Sequence, residues 1–261
     1  MALSSEAELI AGRFLSARRE GRGLDEFPGR LPETLEKAYA IQDEAIAAWG
    51  APVIGWKVGR ILPPLSARLG SDRLVGPIFR AVEAADGEAP EMPVFADGFA
   101  AGEAEFVLRI GRDADPAKRA YTLDEAADFI DAVHLGIEIA SSPLKDINGF
   151  GPTAVVSDFG NNNGLVVGLE IPDWRSSGFE GWTVVTSIDG LEVGNGQASS
   201  FPDGAIGAAR FLLELSAGRG CRLRRGQWIS SGAVTGVHQG RPGQTVEASF
   251  GALNTVRCTL I

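Results

Sequence analysis

The run Gly102-Glu103-Ala104-Glu105-Phe106-Val107-Leu108-Arg109-Ile110 alternates without a break. Ala104, Phe106, Leu108 and Ile110 fall on one side; Glu103, Glu105, Val107 and Arg109 fall on the other. Successive side chains of an extended chain point to opposite faces, so strict period two over this length predicts a half-buried strand. Glu103 and Glu105 then project from adjacent positions of one face, near enough to share a cation. Two like charges so placed repel and, left uncompensated, weaken the strand. On this segment alone they read equally well as two solvent-facing surface acids.

A second alternating run, Val133-His134-Leu135-Gly136-Ile137-Glu138-Ile139-Ala140, tips that balance. Val133, Leu135, Ile137 and Ile139 make its apolar face, and His134, Gly136 and Glu138 the other. Glu138 is a carboxylate set between two isoleucines, where a charge is costly unless it is paired or ligating. Glu103, Glu105 and Glu138, on two strands, make a hard oxygen site suited to Mg²⁺ or Mn²⁺ with positions left for substrate or water. No cysteine or histidine spacing points to zinc.

The 261 residues carry no low-complexity stretch or internal repeat, which predicts one domain with a small helical appendage, the boundary falling between residues 1–50 and 51–261. A net charge of -10 argues against nucleic acid or an anionic membrane surface as a partner. The short basic group Arg222-Leu223-Arg224-Arg225 reads as a solvated loop. Cys221 and Cys258 lack metal-like spacing and read as reduced packing residues. Residues 1–4 lead into an acidic helical pattern without a basic, then apolar, leader, and no apolar run is long enough to span a bilayer. A cytoplasmic protein is expected.

Residues 5–22 predict a helix with Ser5 and Glu8 as a capping box. Pro32 is read as opening a second helix that closes at Gly50. In Val53-Ile54-Gly55-Trp56-Lys57-Val58-Gly59, a short strand, Lys57 sits in an apolar frame. It either snorkels to the surface or is held desolvated, and burial lowers a lysine's pKa enough for acid–base work near neutrality. Thr122 and Glu125 cap a helix over 122–132. Residues 151–164 read as a polar loop in which Asn161-Asn162-Asn163 favours turns over ligand binding. A hairpin over 182–193 turns at Asp189-Gly190. Residues 202–217 read as an apolar helix closed by Gly218, and 227–234, 245–250 and 254–260 as strands. Clustered strands with few crossover helices predict an α+β fold. No dinucleotide or phosphate-loop glycine signature is present.

Taken in order, Gly55-Trp56-Lys57-Val58-Gly59, Glu103-x-Glu105-Phe106-Val107, Glu138, Ser231-Gly232-Ala233, Gly243-Gln244-Thr245-Val246 and Phe250-Gly251-x-Leu253 resemble the 2-keto-4-pentenoate hydratases of the fumarylacetoacetate hydrolase-like superfamily. The resemblance covers nearly the whole chain. It implies a mixed β roll or sandwich with N-terminal and flanking helices, a homo-oligomer, and a divalent metal, Mg²⁺ or Mn²⁺, held by Glu103, Glu105 and Glu138. That metal would chelate a small 2-oxo acid while Lys57 moves a proton. Asp158, Asn161 and Ser141 occupy the implied substrate-binding positions. The chain departs from the hydratase pattern there: Leu74-Val75-Gly76 replaces Asp-Tyr-Gly or Asp-Phe-Gly, Ala140-Ser141-Ser142 replaces Asp-Ser-Arg, and Asp158-Phe159-Gly160-Asn161 replaces Asp-Asn-x-Ser.

Three activities fit these residues. The first is a hydratase, or a related lyase or isomerase, acting on a 2-oxo or 2-hydroxydienoic acid. The second is C–C cleavage, by decarboxylation of a 2-oxo diacid or hydrolysis of an acylpyruvate. Hydrolysis in the related enzymes uses a His-Glu pair near the front, and no histidine precedes His134 here. The third is a non-catalytic, metal-dependent acid-binding protein. His134 could stand behind the metal ligands but reads better as a satisfied core histidine, and His238 as a turn residue.

Overall fold

The computed structural model describes residues 5–251 and 254–261. Residues 1–4 and Leu253, both read above, lie outside them. Helix α1 (Glu6–Glu20) starts as predicted: the Ser5 side chain accepts from the Glu8 N–H, and the Glu8 carboxylate accepts from the Ser5 N–H. Helix α2 (Leu35–Trp49) begins later than Pro32 because Thr34, whose hydroxyl accepts from Lys37 N–H, is the residue that satisfies its first turn. Both helices bury their apolar faces in the same cluster as the strands.

There follow β1 (Gly55–Arg60), α3 (Leu65–Leu69), β2 (Arg73–Ile78), β3 (Ala81–Glu83), β4 (Glu91–Met92) and the long β5 (Phe99–Ile110). Next come α4 (Leu123–Ala127), β6 (Ile130–Ser142), α5 (Ile147–Phe150), α6 (Pro152–Ser157), a 3₁₀ turn (Phe159–Asn161) and β7 (Asn162–Glu170). The chain ends with α7 (Trp174–Ser177), β8 (Val184–Ile188), β9 (Leu191–Gly196), α8 (Gly204–Arg219), β10 (Trp228–Ser230), β11 (Thr245–Phe250) and β12 (Asn254–Leu260). One sheet has the order β2-β1-β10-β5-β6-β7-β3 and the other β4-β12-β11-β8-β9. Antiparallel pairs dominate, with parallel pairing of β1 to β10, β3 to β7 and β4 to β12. This is the α+β class expected. No helix among the described residues is long and apolar enough to cross a membrane.

The sheets meet through the apolar face of β5: the Phe106 ring lies 5.2 Å from Phe250 and 4.9 Å from Phe179. The opposite face of β5, the polar side of a strand expected to be half buried, is covered as well. Val107 packs there with Ile78, Leu165 and Val167, and only Arg109 of the whole strand is partly exposed. Alternation reports that two faces differ, not that one is wet.

Other boundaries moved. The helix capped by Thr122 and Glu125 stops at Ala127, since β6 begins at Ile130. Helix α8 closes at Gly220, not Gly218. Of 227–234 only Trp228–Ser230 pairs as a strand. The 151–164 segment is a helix, a turn and the start of β7, not a loop. The Asp189-Gly190 hairpin is as predicted, both residues having positive φ (51° and 79°). Both cysteines are free, Cys258 buried and Cys221 partly so.

Candidate metal centre

The β5–β6 register sets Glu103 directly opposite Glu138, and Glu105 opposite Gly136. All three glutamates are buried, at 4 %, 1 % and 1 % exposure for Glu103, Glu105 and Glu138. One carboxylate oxygen from each lies within 4.8 Å of the other two. Their remaining bonds hold them in place. Glu105 Oε2 accepts from the Ser230 hydroxyl and, at 2.8 Å, from the Gly232 N–H. Glu138 Oε1 accepts from Asn162 Nδ2 at 2.8 Å.

The set is under-satisfied. Glu138 Oε2 is buried with no hydrogen-bond partner, its nearest cation being Lys57 Nζ at 3.5 Å. Burial, and then the charge of Glu138, push Glu103 up to about 7. Burial, then Glu138 and Glu103, raise Glu105 well above the usual carboxylate range despite the Ser230 hydrogen bond. Three buried carboxylates facing one ammonium leave surplus negative charge and an orphaned oxygen, the condition a small divalent cation relieves. The donors are all oxygen, with no sulfur or imidazole, so the fit is to a hard cation.

Lys57 reaches this centre from β1, between Ser230 on β10 and Gly76 on β2. It is 5 % exposed, and its Nζ donates to Asn161 Oδ1 at 3.1 Å. It does not snorkel. Its pKa moves opposite to the sequence expectation. Burial is the largest single influence and lowers it, but the attraction of Glu138, Glu103 and Glu105 together outweighs burial and the net direction is upward.

Asn161 is delivered by an unusual turn. Phe159, Gly160 and Asn161 have φ of 56°, 64° and 55° in succession, left-handed backbone that costs a non-glycine residue free energy. A Cβ on Gly76 would come within 2.1 Å of the Phe159 carbonyl oxygen, and one on Gly160 within 2.8 Å of Gly76 Cα. Glycine at both positions lets the turn lie flat on β2 and carry Asn161 to Lys57. Only Asn161 of the amide run lies in the turn, Asn162 and Asn163 opening β7, and against the expectation of turns over binding Asn161 and Asn162 hydrogen-bond the charged groups of the centre.

Of the residues singled out in the sequence, the structure gathers Lys57, Glu103, Glu105, Glu138 and Asn161. Asp158 and Ser141 lie off this cluster. Asp158 is ion-paired with Arg18 and accepts from the Ser142 hydroxyl at 2.6 Å. The Ser141 hydroxyl donates to Phe99 O at 2.6 Å and accepts from Phe95 N–H at 2.9 Å. His134 Nδ1 lies 3.0 Å from Gly168 O with its ring edge-on to Trp228, and His238 Nε2 lies 2.9 Å from Thr235 O. Neither hydrogen-bonds to the acids. Sequence reading missed Arg18, Asn162 and Ser230. Asn162 was visible within the amide run, whereas Arg18 looks like any other cation of an amphipathic helix.

Lys57, Glu103 and Asn161 line a cavity of about 540 Å³. Most of the remaining lining is apolar, with Leu62, Leu65, Leu74, Val155 and Val237 prominent, but Arg60 and Asn148 belong to it as well.

Two solved structures of 4-oxalocrotonate decarboxylase from Pseudomonas putida G7 share this architecture. One, complexed with calcium and acetate, superposes with a TM-score of 0.81 over 98 % of this chain and 97 % of that one, at 20 % identity. The other, complexed with magnesium and adipate, gives 0.81 over 100 % and 99 %, at 19 % identity. Fumarylpyruvate hydrolase from Pseudomonas aeruginosa, with Mn²⁺ and pyruvate, gives 0.56 over 79 % and 88 %, at 16 % identity. A fumarylacetoacetate hydrolase family protein from Yersinia pestis gives 0.58. The fold is that of the fumarylacetoacetate hydrolase superfamily. In sequence the chain is 27 % identical to a 2-keto-4-pentenoate hydratase of Burkholderia vietnamiensis, over 96 % of this chain and 95 % of that protein. It is 25 % identical to 2-keto-4-pentenoate hydratase 3 of Pseudomonas putida, over 97 % and 94 %. No family model matches the chain. The acid cluster lies at the centre of this superfamily fold, on its two longest strands.

Proposed function

We propose that this protein is a divalent-metal-dependent hydratase of the fumarylacetoacetate hydrolase superfamily. Its substrate would be a small 2-oxo or 2-hydroxydienoic acid resembling 2-hydroxypenta-2,4-dienoate. The observation that carries this reading is the buried, under-satisfied trio Glu103, Glu105 and Glu138 with an amine beside it. The trio would hold Mg²⁺ or Mn²⁺, which when bound would take the substrate's carboxylate and 2-oxo oxygens and stabilise negative charge on them. The full-length similarity to hydratases supports the same reading.

The chain's own residues have separable tasks. Glu105 is held by Ser230 and Gly232, and Glu138 by Asn162, so their free oxygens are oriented before any ligand arrives. Lys57, protonated and held by Asn161, would donate a proton to a substrate carbon as the dienol becomes an unsaturated ketone, and the amine so freed would take up the proton that leaves the dienol oxygen; the reverse tautomerisation runs the same transfers backwards.

Overall similarity to 4-oxalocrotonate decarboxylase favours one second reading, decarboxylation of a 2-oxo diacid. Hydrolysis of an acylpyruvate has less support, since neither histidine reaches the cavity. A panel of 2-oxo and 2-hydroxydienoic acids, followed by ultraviolet absorbance with Mg²⁺ or with chelator, separates these. Metal-dependent loss of the dienol band without gas is expected; CO₂ release would favour the decarboxylase, and pyruvate release the hydrolase. Lys57→Ala should abolish turnover while leaving metal binding intact, and a fully active variant would remove the proton-transfer role.

A further inference from the structure

A second cavity meets the Phe159–Asn161 turn at a different residue. Asn161 lines the cavity beside the acid cluster, whereas Phe159 and Asn162 line this one, and the two have no lining residue in common. Its volume, about 620 Å³, falls within the roughly 300–1,000 Å³ typical of small-molecule sites.

Three arginines, Arg18, Arg19 and Arg80, border it together with one acid, Glu20. Arg18 is committed to Asp158. Glu20 is committed as well, its two oxygens accepting from the Ser16 hydroxyl at 2.6 Å and from Arg22 Nε at 3.0 Å. That leaves Arg19, which donates to a backbone carbonyl, Ala48 O, at 2.9 Å, and the exposed Arg80. Neither is in an ion pair among the described residues. Two uncompensated guanidiniums on one cavity are a local exception in a chain of net charge -10, whose overall field repels anions.

The inner wall is aromatic. Trp49, Phe79 and Phe159 pack as a triangle with ring centroids 5.9, 5.8 and 5.0 Å apart. Trp49 and Phe79 are only partly buried, so each keeps some ring surface open, and the Arg19 guanidinium lies 5.6 Å from the Trp49 ring. Rings favour edge-on or offset contact with a further ring, and a guanidinium favours a carboxylate.

We propose that this cavity binds a small aromatic carboxylate, its ring against Trp49 and Phe79 and its acid group at Arg19 and Arg80. A saturated acid forfeits the ring contacts, and a neutral arene forfeits the charge-assisted hydrogen bonds. The assignment is independent of the hydratase reading, since it uses no residue of the cavity beside the glutamates.

Calorimetric titration of the full chain in chelator, where no cation draws a carboxylate to the glutamates, tests it. 2-Naphthoate and benzoate should each bind at one site per chain, naphthoate more tightly. Cyclohexanecarboxylate and benzyl alcohol should both bind more weakly than benzoate. Arg80→Gln, at an exposed position, should weaken benzoate about tenfold with an unchanged melting temperature, the ratio expected for one charge-assisted hydrogen bond. Arg19→Gln should weaken it likewise, and Arg60→Gln, in the other cavity, should not. Absence of binding, equal affinity for benzoate and cyclohexanecarboxylate, or a loss caused by Arg60→Gln and not by Arg80→Gln would overturn the inference. Ring-selective, Arg80-dependent binding in a protein that turns over no dienoate would leave it standing and remove only the hydratase.

Discussion

On either side of the Phe159–Asn161 turn the chain buries a set of charged side chains, and the two sets obey opposite rules. Arg18 and Asp158 are 4 % and 1 % exposed and form a balanced pair. Asp158 Oδ1 accepts from Arg18 Nε, and Oδ2 accepts from Arg18 Nη2 and Ser142. The rest of the guanidinium donates to the Ser141, Asp158 and Asn162 carbonyls and to Asn163 Oδ1. Nothing is left over. The glutamate set has surplus charge and an oxygen without a partner. A satisfied buried pair holds structure together, whereas an unsatisfied buried set carries a cost that a bound cation would relieve.

Single substitutions in the two sets should therefore part in sign. Glu103→Gln removes one of three mutually repelling carboxylates. Turnover should fall by more than the roughly 10–100-fold lost when a group behind a metal ligand is removed. The melting temperature of the metal-free protein at pH 8 should not fall. Asp158→Asn leaves a buried guanidinium uncompensated, which costs about 3–5 kcal/mol. Thermal melts of both variants in chelator decide it: a collapse of Glu103→Gln with an unperturbed Asp158→Asn would reverse the assignment.

Acidity sharpens the same contrast. In the metal-free protein Glu103 is raised from 4.5 to about 7, so the folded state binds this proton more tightly than the unfolded chain. The stability it contributes is complete below pH 4.5 and is lost as pH rises through about 7. A cation needs the ionised carboxylates, so its stabilising effect should grow across that same window. At a hundredfold excess over Kd, Mg²⁺ adds about 2.7 kcal/mol. The melting-temperature gain should be clear at pH 8 and small at pH 5, and equal gains at both would count against the trio as ligands.

Arg18→Lys probes the link between the sets. Lysine keeps the charge but cannot span Asp158, Asn162 and Asn163 at once. A loss of about 2 kcal/mol is expected from the missing charge-assisted bonds. The strained turn should also relax, loosening Asn161 from Lys57 and lowering kcat more than it raises KM. An unchanged kcat in a destabilised protein would confine Arg18 to stability.

The difference between these sets explains what could be read from the sequence. Glu138 was legible because a charge between isoleucines in an alternating strand has few benign explanations. Two strands of period two then sufficed to bring it to Glu103 and Glu105. The direction of the Lys57 pKa was not legible, since it depends on how many carboxylates converge from other strands. Arg18 was hidden among Arg13 and Arg19 on the same helix, and only the tertiary fold makes it the buried one. The covered second face of β5 was likewise invisible, because alternation in one strand carries no information about what packs on top.

Ser141 gives the smallest and most discriminating effect. The hydratase resemblance puts it among substrate-binding positions, yet its hydroxyl bridges Phe99 O and Phe95 N–H, tying the segment before β5 to the end of β6. Both bonds are buried, so Ser141→Ala leaves a carbonyl and an N–H without partners. A loss of about 1–3 kcal/mol is expected from that desolvation, with KM for the best substrate unchanged. A raised KM at unaltered melting temperature would mean that the hydroxyl turns toward the ligand when the site is filled. In that case the boundary between the structural set and the binding set would pass through Ser141 and not beside it.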